Sequence, residues 1–240
     1  GEIDWKLNGK KNNQAGLREA GFPVDGFVLD LQWYGGVIKN SPDTHMGSYE
    51  WDTHRFPKPE QKLREYLSDG IGFITIEQSY VGKNQWAYSQ LLKRGSNDNS
   101  HVGGAGYLVH YCNTDTPVEF SDWLGQVGMI DWSDVGAGEW IHNWKRKPNL
   151  IDKGVMGHWT DLGEPEKFDS NACYNNNSDN LRYHHADIHN LYNFFWHKSI
   201  YEGYVKDQIA QRPFLLARSG APGIQRFGAA MWSGDITSRL

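Results

Sequence analysis

The chain has 240 residues, of which 38% are hydrophobic and 22% charged, enough for one large domain with a substantial core and too apolar for a disordered chain. Its net charge of -5 comes with no long basic run, which argues against nucleic-acid binding, and no apolar run reaches the ~18 residues of a membrane span. The outlier is aromatic content, 11 Trp, 12 Tyr and 10 Phe; most such rings fill a core, but flat apolar faces also stack on the C–H faces of sugars.

Residues 1–11 are polar and basic and give no clear element. Residues 12–20 read as a short helix, with Asn12 or Asn13 as cap and Gly21 as stop, and Phe22-Pro23 breaks it. A buried strand is expected over 26–33. It carries Asp30, and an Asp inside such a run is costly unless bonded or functional. Residues 34–56 form a long loop holding Tyr49, Trp51 and Phe56, and loops of this length in a compact domain are usually functional. A helix over 59–69 presents Leu63, Tyr66 and Leu67 on one face and ends at Gly70. The strand over 71–76 delivers Glu77-Gln78-Ser79-Tyr80 at its end, so Glu77 either faces the cleft or is satisfied by its polar neighbours.

Residues 86–94 read as a short helix, and 107–112 and 118–120 as short strands of an insertion. Gly103-Gly104-Ala105-Gly106 lacks the strand–loop–helix context of a phosphate loop and is set aside. Asp131 and Asp134 are rim candidates, with helix capping preferred for Asp134. A helix over 135–147 places Trp140 and Trp144 one turn apart, packed on the sheet, and Lys145-Arg146-Lys147 at the end where cations suit the dipole.

Val155-Met156 leads into Gly157-His158-Trp159-Thr160-Asp161, a short buried strand that ends in an acidic turn, Glu164-Pro165-Glu166. Residues 167–182 read as a polar, Asn-rich loop containing the glycosylation sequon Asn176-Asn177-Ser178. Residues 183–211 are the longest helical pattern, with Ile188, Leu191, Tyr192, Phe195, Ile200 and Tyr204 on its apolar face. His185 and His189 are one turn apart, next to His184, but have neither the Glu of the metalloprotease pattern nor a third ligand, so capping or rim contacts are preferred to a metal. Strands over 213–217 and 229–232 end near Arg218-Ser219 and Asp235. Cys112 and Cys173 are isolated, have no metal-ligand spacing, and either pair or stay free according to compartment. There is no internal repeat and no separate second domain.

Strand and helix alternate, and polar residues collect at strand C-termini, which is a parallel α/β pattern. In a barrel of that class the C-terminal rim is catalytic. Asp161 and Asp235 both stand at strand ends, each near an indole, Trp159 or Trp232. Two such carboxylates are what glycoside hydrolysis needs.

The pattern Trp159-x-Asp161-x-x-Glu164-Pro165, then Arg218-Ser219-x-x-x-Gly223-x-Gln225-Arg226 and Trp232-Ser233-Gly234-Asp235, resembles glycoside hydrolase family 31 over about residues 24–235. That is the α-glucosidase family, which also holds α-xylosidases and α-glucosyltransferases. The resemblance implies a (β/α)8 TIM barrel, with five of the eight strands assignable here, around 26–31, 71–76, 155–160, 213–217 and 229–232. It implies Asp161 as nucleophile and Asp235 as general acid/base, which must start protonated and so needs a raised pKa. It assigns Arg218 and Asp30 to sugar hydroxyls and Trp123, Trp159 and Trp232 to the substrate pocket. Many members read Asn where this chain has Gly163, a departure beside the nucleophile that leaves the exact substrate open. No metal and no organic cofactor is implied.

The expected activity is a retaining α-glycoside hydrolase or α-glucosyltransferase acting on a carbohydrate, with no nucleic-acid or membrane partner. Water and sugar acceptors use the same two carboxylates, so hydrolysis and transfer are not separated. The alternative is a carbohydrate-binding or catalytically inactive homologue, against which the presence of both carboxylates argues. A cofactor-dependent α/β enzyme fails for want of a phosphate loop. The missing strands should precede residue 12 and follow Asp235, so residues 1–240 are expected to be part of a catalytic barrel domain whose remainder lies outside this segment. Such a sheet would be open, with two unpaired edges.

Overall fold

Five runs rich in aliphatic and aromatic residues, each ending in polar ones, become parallel strands: β1 (Gly26–Leu29), β2 (Gly72–Gln78), β3 (Gly157–Asp161), β4 (Phe214–Ala217) and β5 (Ala229–Met231). They are hydrogen-bonded in that order, so chain order is spatial order. Helices Pro59–Ser68 and Tyr192–Lys206 are the crossovers between β1 and β2 and between β3 and β4. This is the winding of a (β/α)8 barrel, here as an open sheet. The computed structural model describes residues 13–94, 106–114, 116–176 and 181–237. The polar run 1–11, Gly103-Gly104-Ala105 and the sequon's Asn177 and Ser178 lie outside the described residues.

Register decides which chemistry faces where, because parallel register partners share a face and successive residues alternate. Thr75 pairs with His158 and Glu77 with Thr160, whereas Ile76 pairs with Trp159 and Gln78 with Asp161. One face therefore carries Leu29, Phe73, Thr75, Glu77, His158, Thr160, Leu215 and Ala217, all buried. The Tyr192–Lys206 helix covers it: Tyr204 Oη lies 2.9 Å from His158 Nε2, and His197 Nε2 lies 2.8 Å from Thr160 Oγ1. The other, concave face carries Ile74, Ile76, Gln78, Trp159, Asp161 and Leu216. Its Val28 and Phe214 are 45% and 49% exposed.

Behind the sheet, Glu77 is the hub of a buried network. Arg146 donates to it from Nε at 3.0 Å and from Nη2 at 2.8 Å, and Tyr49 Oη donates at 3.2 Å. His158 Nδ1 lies 2.6 Å away. An ionised carboxylate only accepts, so Nδ1 carries the proton and Nε2 accepts from Tyr204. Burial opposes the charge on Glu77, but Arg146 and His158 outweigh it and hold the carboxyl well below its usual range. Burial keeps the His158 pKa down, which favours the neutral ring.

Several expectations are corrected. β1 stops at Leu29, and Asp30 caps a 3-10 turn, Leu31–Tyr34, by accepting from the Leu31 N–H at 2.7 Å. The 135–147 pattern is an α-helix, Val135–Ile141, capped by Asp134, followed by a π-type segment, His142–Arg146. The wider π turn rotates the chain. Trp140 stays buried, Trp144 is 54% exposed, and Lys145 and Arg146 turn inward. Asp131 accepts from the Ser133 N–H and hydroxyl, a local turn contact. Leu67 and Leu191 are exposed rather than on packed faces.

The Asn-rich run is a hairpin, Ala172–Asn176 with Leu181–His184, paired to His110–Tyr111. Cys112 and Cys173 form a disulfide that ties the insertion to it. A second antiparallel sheet joins Tyr80–Gly82, Gly125–Met129 and Glu119–Asp122. The Gly125–Met129 strand was not anticipated, because Gly125 and Gly128 blur its apolar alternation.

Breaking a buried charge pair from one side leaves the other charge unpaired, which costs ~3–5 kcal/mol. Arg146→Met should therefore lower the urea midpoint sharply in the longest soluble form of the protein, whereas Lys147→Met, in an exposed pair with Asp152, should leave it nearly unchanged. A second expectation concerns the sheet edges. Among the described residues nothing pairs with the outer edge of β1 or β5, and Val28, Phe214 and Met231 are exposed on the strands. Unpaired edges with apolar side chains favour aggregation. The 240 residues expressed alone should sediment as aggregates, and a soluble monomer with a cooperative melt would show that both edges are covered.

Candidate active site

The last residue of β3 is Asp161, and the chain turns at once: Leu162 takes a left-handed φ of 58°. A non-glycine residue there is strained, and such strain clusters at functional sites. The turn aims the Leu162 N–H at the Asp161 carboxylate. The two carboxylate oxygens then have different neighbours. Gln78 Nε2, on the adjacent strand, is 3.5 Å from Oδ2, and Arg218 Nη1, just past β4, is 3.7 Å from Oδ1. Burial pushes the Asp161 carboxyl up to about 6, against the pull of Arg218, the Leu162 N–H and Gln78.

Arg218 is held by three carboxylates. Besides Asp161, its Nε donates to Glu164 at 2.5 Å and its Nη2 to Glu166 at 2.5 Å. Burial works against the guanidinium charge, but Glu164 and Glu166 outweigh it and raise its pKa. The acidic turn after Asp161 is thus a clamp for the arginine. The turn is anchored at its far end, where the Lys167 N–H donates to Tyr80 Oη at 2.7 Å.

Trp159 lies two residues before Asp161 on the same face and meets Trp232 edge-on, with ring centroids 5.6 Å apart. The chain after Trp232 crosses Arg218: a Cβ on Gly234 would sit 3.4 Å from Arg218 Cδ. Asp235 follows, exposed to solvent. Asp30 is also exposed. Burial of the Tyr34 hydroxyl raises its pKa, and the charges of Asp30 and then Asp161 raise it further. Trp123 is 51% exposed at the tip of the Glu119–Asp122/Gly125–Met129 hairpin. Its neighbour Asp122 lies 3.5 Å from Lys167 Nζ, beside the loop that follows Asp161.

The structure thus joins Asp161 to Arg218 and Trp159 to Trp232 by direct contact. Asp30 and Asp235 border this group, and Trp123 is linked to it only through its hairpin. Gln78, Glu164 and Glu166 were not singled out from the sequence. The signals available were the register of Gln78 with Asp161 and the place of the two glutamates inside the motif itself. A cavity of about 330 Å³ lined by Trp132, His142, Lys198 and Glu202 lies among the helices and shares no residue with this group.

The histidine cluster serves packing. The His185 ring stacks on Phe168 at 4.3 Å and bonds Tyr174 Oη, and His184 Nδ1 lies 3.3 Å from Cys112 Sγ. Among the described residues, Cys112, Cys173 and His184 stand close enough to share an ion, and there the two sulfurs are bonded to each other.

A carboxyl whose pKa is higher in the folded than in the unfolded chain keeps a proton that the unfolded chain releases. Its stabilisation is full below about pH 4 and is lost as pH rises through about 6. At pH 7 the ionised Asp161 therefore destabilises the fold by up to ~2–3 kcal/mol. Asp161→Asn should raise the thermal midpoint at pH 7 and change it little at pH 4; equal midpoints at pH 7 would refute the raised pKa.

A parallel sheet that gathers carboxylates, an arginine and indoles at its strand C-termini is the rim of a (β/α)8 barrel. The Glycosyl hydrolases family 31 TIM-barrel domain matches residues 8–240, and the chain belongs to that family. It is 27% identical over 228 residues to "Alpha-glucosidase 2" of Bacillus thermoamyloliquefaciens, covering 92% of this chain and 26% of that protein. It is 25% identical over 239 residues to "1,6-alpha-glucosyltransferase" of Sporosarcina globispora, covering 98% of this chain and 16% of that protein. Among solved structures it is similar to a Flavobacterium johnsoniae GH31 dextranase complexed with glucose, with a TM-score of 0.72 and 24% identity over 92% of this chain and 25% of that one. A GH31 α-xylosidase from a soil metagenome, complexed with xylose, gives a TM-score of 0.73 and 22% identity over 94% of this chain and 29% of that one. The chain spans about a quarter of the length of the first of these relatives.

Proposed function

We propose that these residues form part of the catalytic barrel of a retaining α-glycoside hydrolase or α-glucosyltransferase that acts on α-glucosides or oligosaccharides. The supporting observation is Asp161: a strand-end carboxylate held at each oxygen by a different neighbour, beside Arg218 and two indoles, in a family with α-glucosidase and α-glucosyltransferase relatives.

In this reading Asp161 attacks the anomeric carbon. The bond to the leaving oxygen breaks as Asp235 gives that oxygen its proton, and a covalent glycosyl-enzyme forms. Asp235 then takes a proton from water or a sugar hydroxyl, whose oxygen attacks the same carbon and releases Asp161. Two inversions give net retention and require the carboxyl groups ~5–5.5 Å apart. Asp161 is largely ionised at pH 7 with a pKa of about 6. Partial burial leaves the carboxylate poorly solvated, which favours attack on a carbon carrying positive charge. Arg218 and Asp30 bind ring hydroxyls, and Trp159, Trp232 and Trp123 wall the pocket. Because Glu164 and Glu166 orient the guanidinium beforehand, sugar binding need not order it. The reading includes a longer catalytic domain, of which residues 1–240 are one portion.

The test uses the longest soluble form of the protein with aryl α-glucoside, aryl α-xyloside, and malto- and isomalto-oligosaccharides. Asp161→Asn should abolish turnover by several orders of magnitude and leave sugar binding nearly intact. Asp235→Ala should slow substrates with poor leaving groups most. The acid limb of kcat/KM should fall near pH 6, where Asp161 loses its charge. Activity of Asp161→Asn within a few-fold of the parent would remove it from the nucleophile's role.

A further inference from the structure

Gly163 lies two residues past Asp161. Its φ is not left-handed, so backbone conformation does not demand a glycine there. Space does: a Cβ on Gly163 would come within 2.6 Å of the Asn193 side chain. Asn193, the second residue of the Tyr192–Lys206 helix, is 1% exposed. Its Nδ2 donates to the Ser219 carbonyl at 2.7 Å and lies 3.3 Å from Ser219 Oγ. Ser219 directly follows Arg218. One amide therefore packs on the loop after β3 and hydrogen-bonds the loop after β4. Asn193 Oδ1 is buried without a protein partner, so the donor side makes the bond to the site.

We propose that Asn193 is a positioning residue that, through the missing side chain of Gly163, fixes the separation of Arg218 from Asp161. The proposal rests on the reading of Asp161 as nucleophile and Arg218 as the sugar-binding arginine. The arginine has a choice of partners. Asp161 is 3.7 Å away, whereas Glu164 and Glu166 are both at 2.5 Å. Without a strut on Ser219, the loop after β4 follows the guanidinium toward the two glutamates. Arg218 then recedes from Asp161, sugar contact weakens, and Asp161 loses the cation that lowers its pKa. Asn suits the strut: an alanine has no donor, and an aspartate would bring a buried charge against the Ser219 carbonyl.

The experiment compares Asn193→Ala, Asn193→Ser, Gly163→Ala and the Gly163→Ala/Asn193→Ala pair in the longest active form of the protein. A displacement of about an ångström at a reacting centre costs on the order of 100-fold in rate. Asn193→Ala should lose roughly that in kcat/KM, mostly through KM, and move the acid limb to higher pH. Gly163→Ala should lose a comparable factor, and the pair should cost far less than the product of the singles, because both act on one contact. A lower melting temperature with KM and the acid limb unchanged would make Asn193 merely structural and overturn the proposal, as would failure of both Asn193 variants to fold. Asp161→Asn in the same assay separates the two levels. If it is inactive while Asn193→Ala matches the parent, only this proposal fails; if it stays active, the nucleophile reading fails first.

Discussion

The fold turns on a carboxylate placed inside a sheet. Glu77 is buried on the helical face of β2, where an unpaired charge would cost several kcal/mol. It is tolerable only if four other segments deliver their partners: Arg146 from the π-type segment, His158 from β3, Tyr49 from the long loop, and Tyr204 through His158 from the crossover helix. A slip of one residue between β2 and β3 would put Glu77 on the concave face and strand Arg146 in the core. The network thus removes the alternative register. Gln78 and Asp161 sit next to Glu77 and Thr160 in the register, so the same constraint brings them side by side on the opposite face. Buried pairs add little net stability, and specifying one arrangement is the role this geometry supports.

The concave face shows the opposite economy of charge. Asp161, Glu164 and Glu166 gather around one guanidinium, with Lys167 Nζ 4.0 Å from Glu166 as a second, more distant cation. Glu164 and Glu166 each accept one short charge-assisted bond from Arg218, and the second oxygen of Glu164 is buried without a partner among the described residues. Asp161 holds the longer contact to Arg218 besides the Leu162 N–H and Gln78, and burial raises its pKa. A carboxylate whose charge burial opposes, at a strand end behind a strained Leu162, is costly for the fold, and strain of that kind clusters at functional sites.

Much of this was legible in the sequence, for identifiable reasons. β2, β3, β4 and β5 were found within two residues at each end, because short apolar runs ending in polar residues leave few other solutions. Asp161 and Trp159 stand out because they lie on one short strand, and Arg218 because it belongs to the motif that resembles the family. The misses involve partners distant in sequence. Arg146 reads as one of three cations suited to a helix C-terminus, since a π turn cannot be read from helical periodicity. Gln78 was passed over beside Glu77, because only register with β3 tells which of the two faces the site. Asn193 is not singled out in the sequence, because its contact is with Gly163, thirty positions away. The hairpin holding Cys173 read as loop because asparagines dominate it, while its order comes from pairing with His110–Tyr111 and from the disulfide.

Strand order also grades how finished each part of the site is. β3 is the central strand, flanked by β2 and β4, so Asp161 has neighbours on both sides and a turn anchored to Tyr80. Asp30 and Asp235 follow β1 and β5, the edge strands, and both face solvent. Burial on the central strand raises the pKa of the Asp161 carboxyl to about 6, while the Leu162 N–H, Gln78 and Arg218 fix the direction of its oxygens. Among the described residues the flank of β5 is open. The surroundings of Asp161 are therefore built by both flanking strands and the turn after β3, whereas among the described residues β5, which precedes Asp235, has a neighbouring strand on one side. The two carboxylates differ in place: one is held by the middle of a sheet, the other follows its boundary.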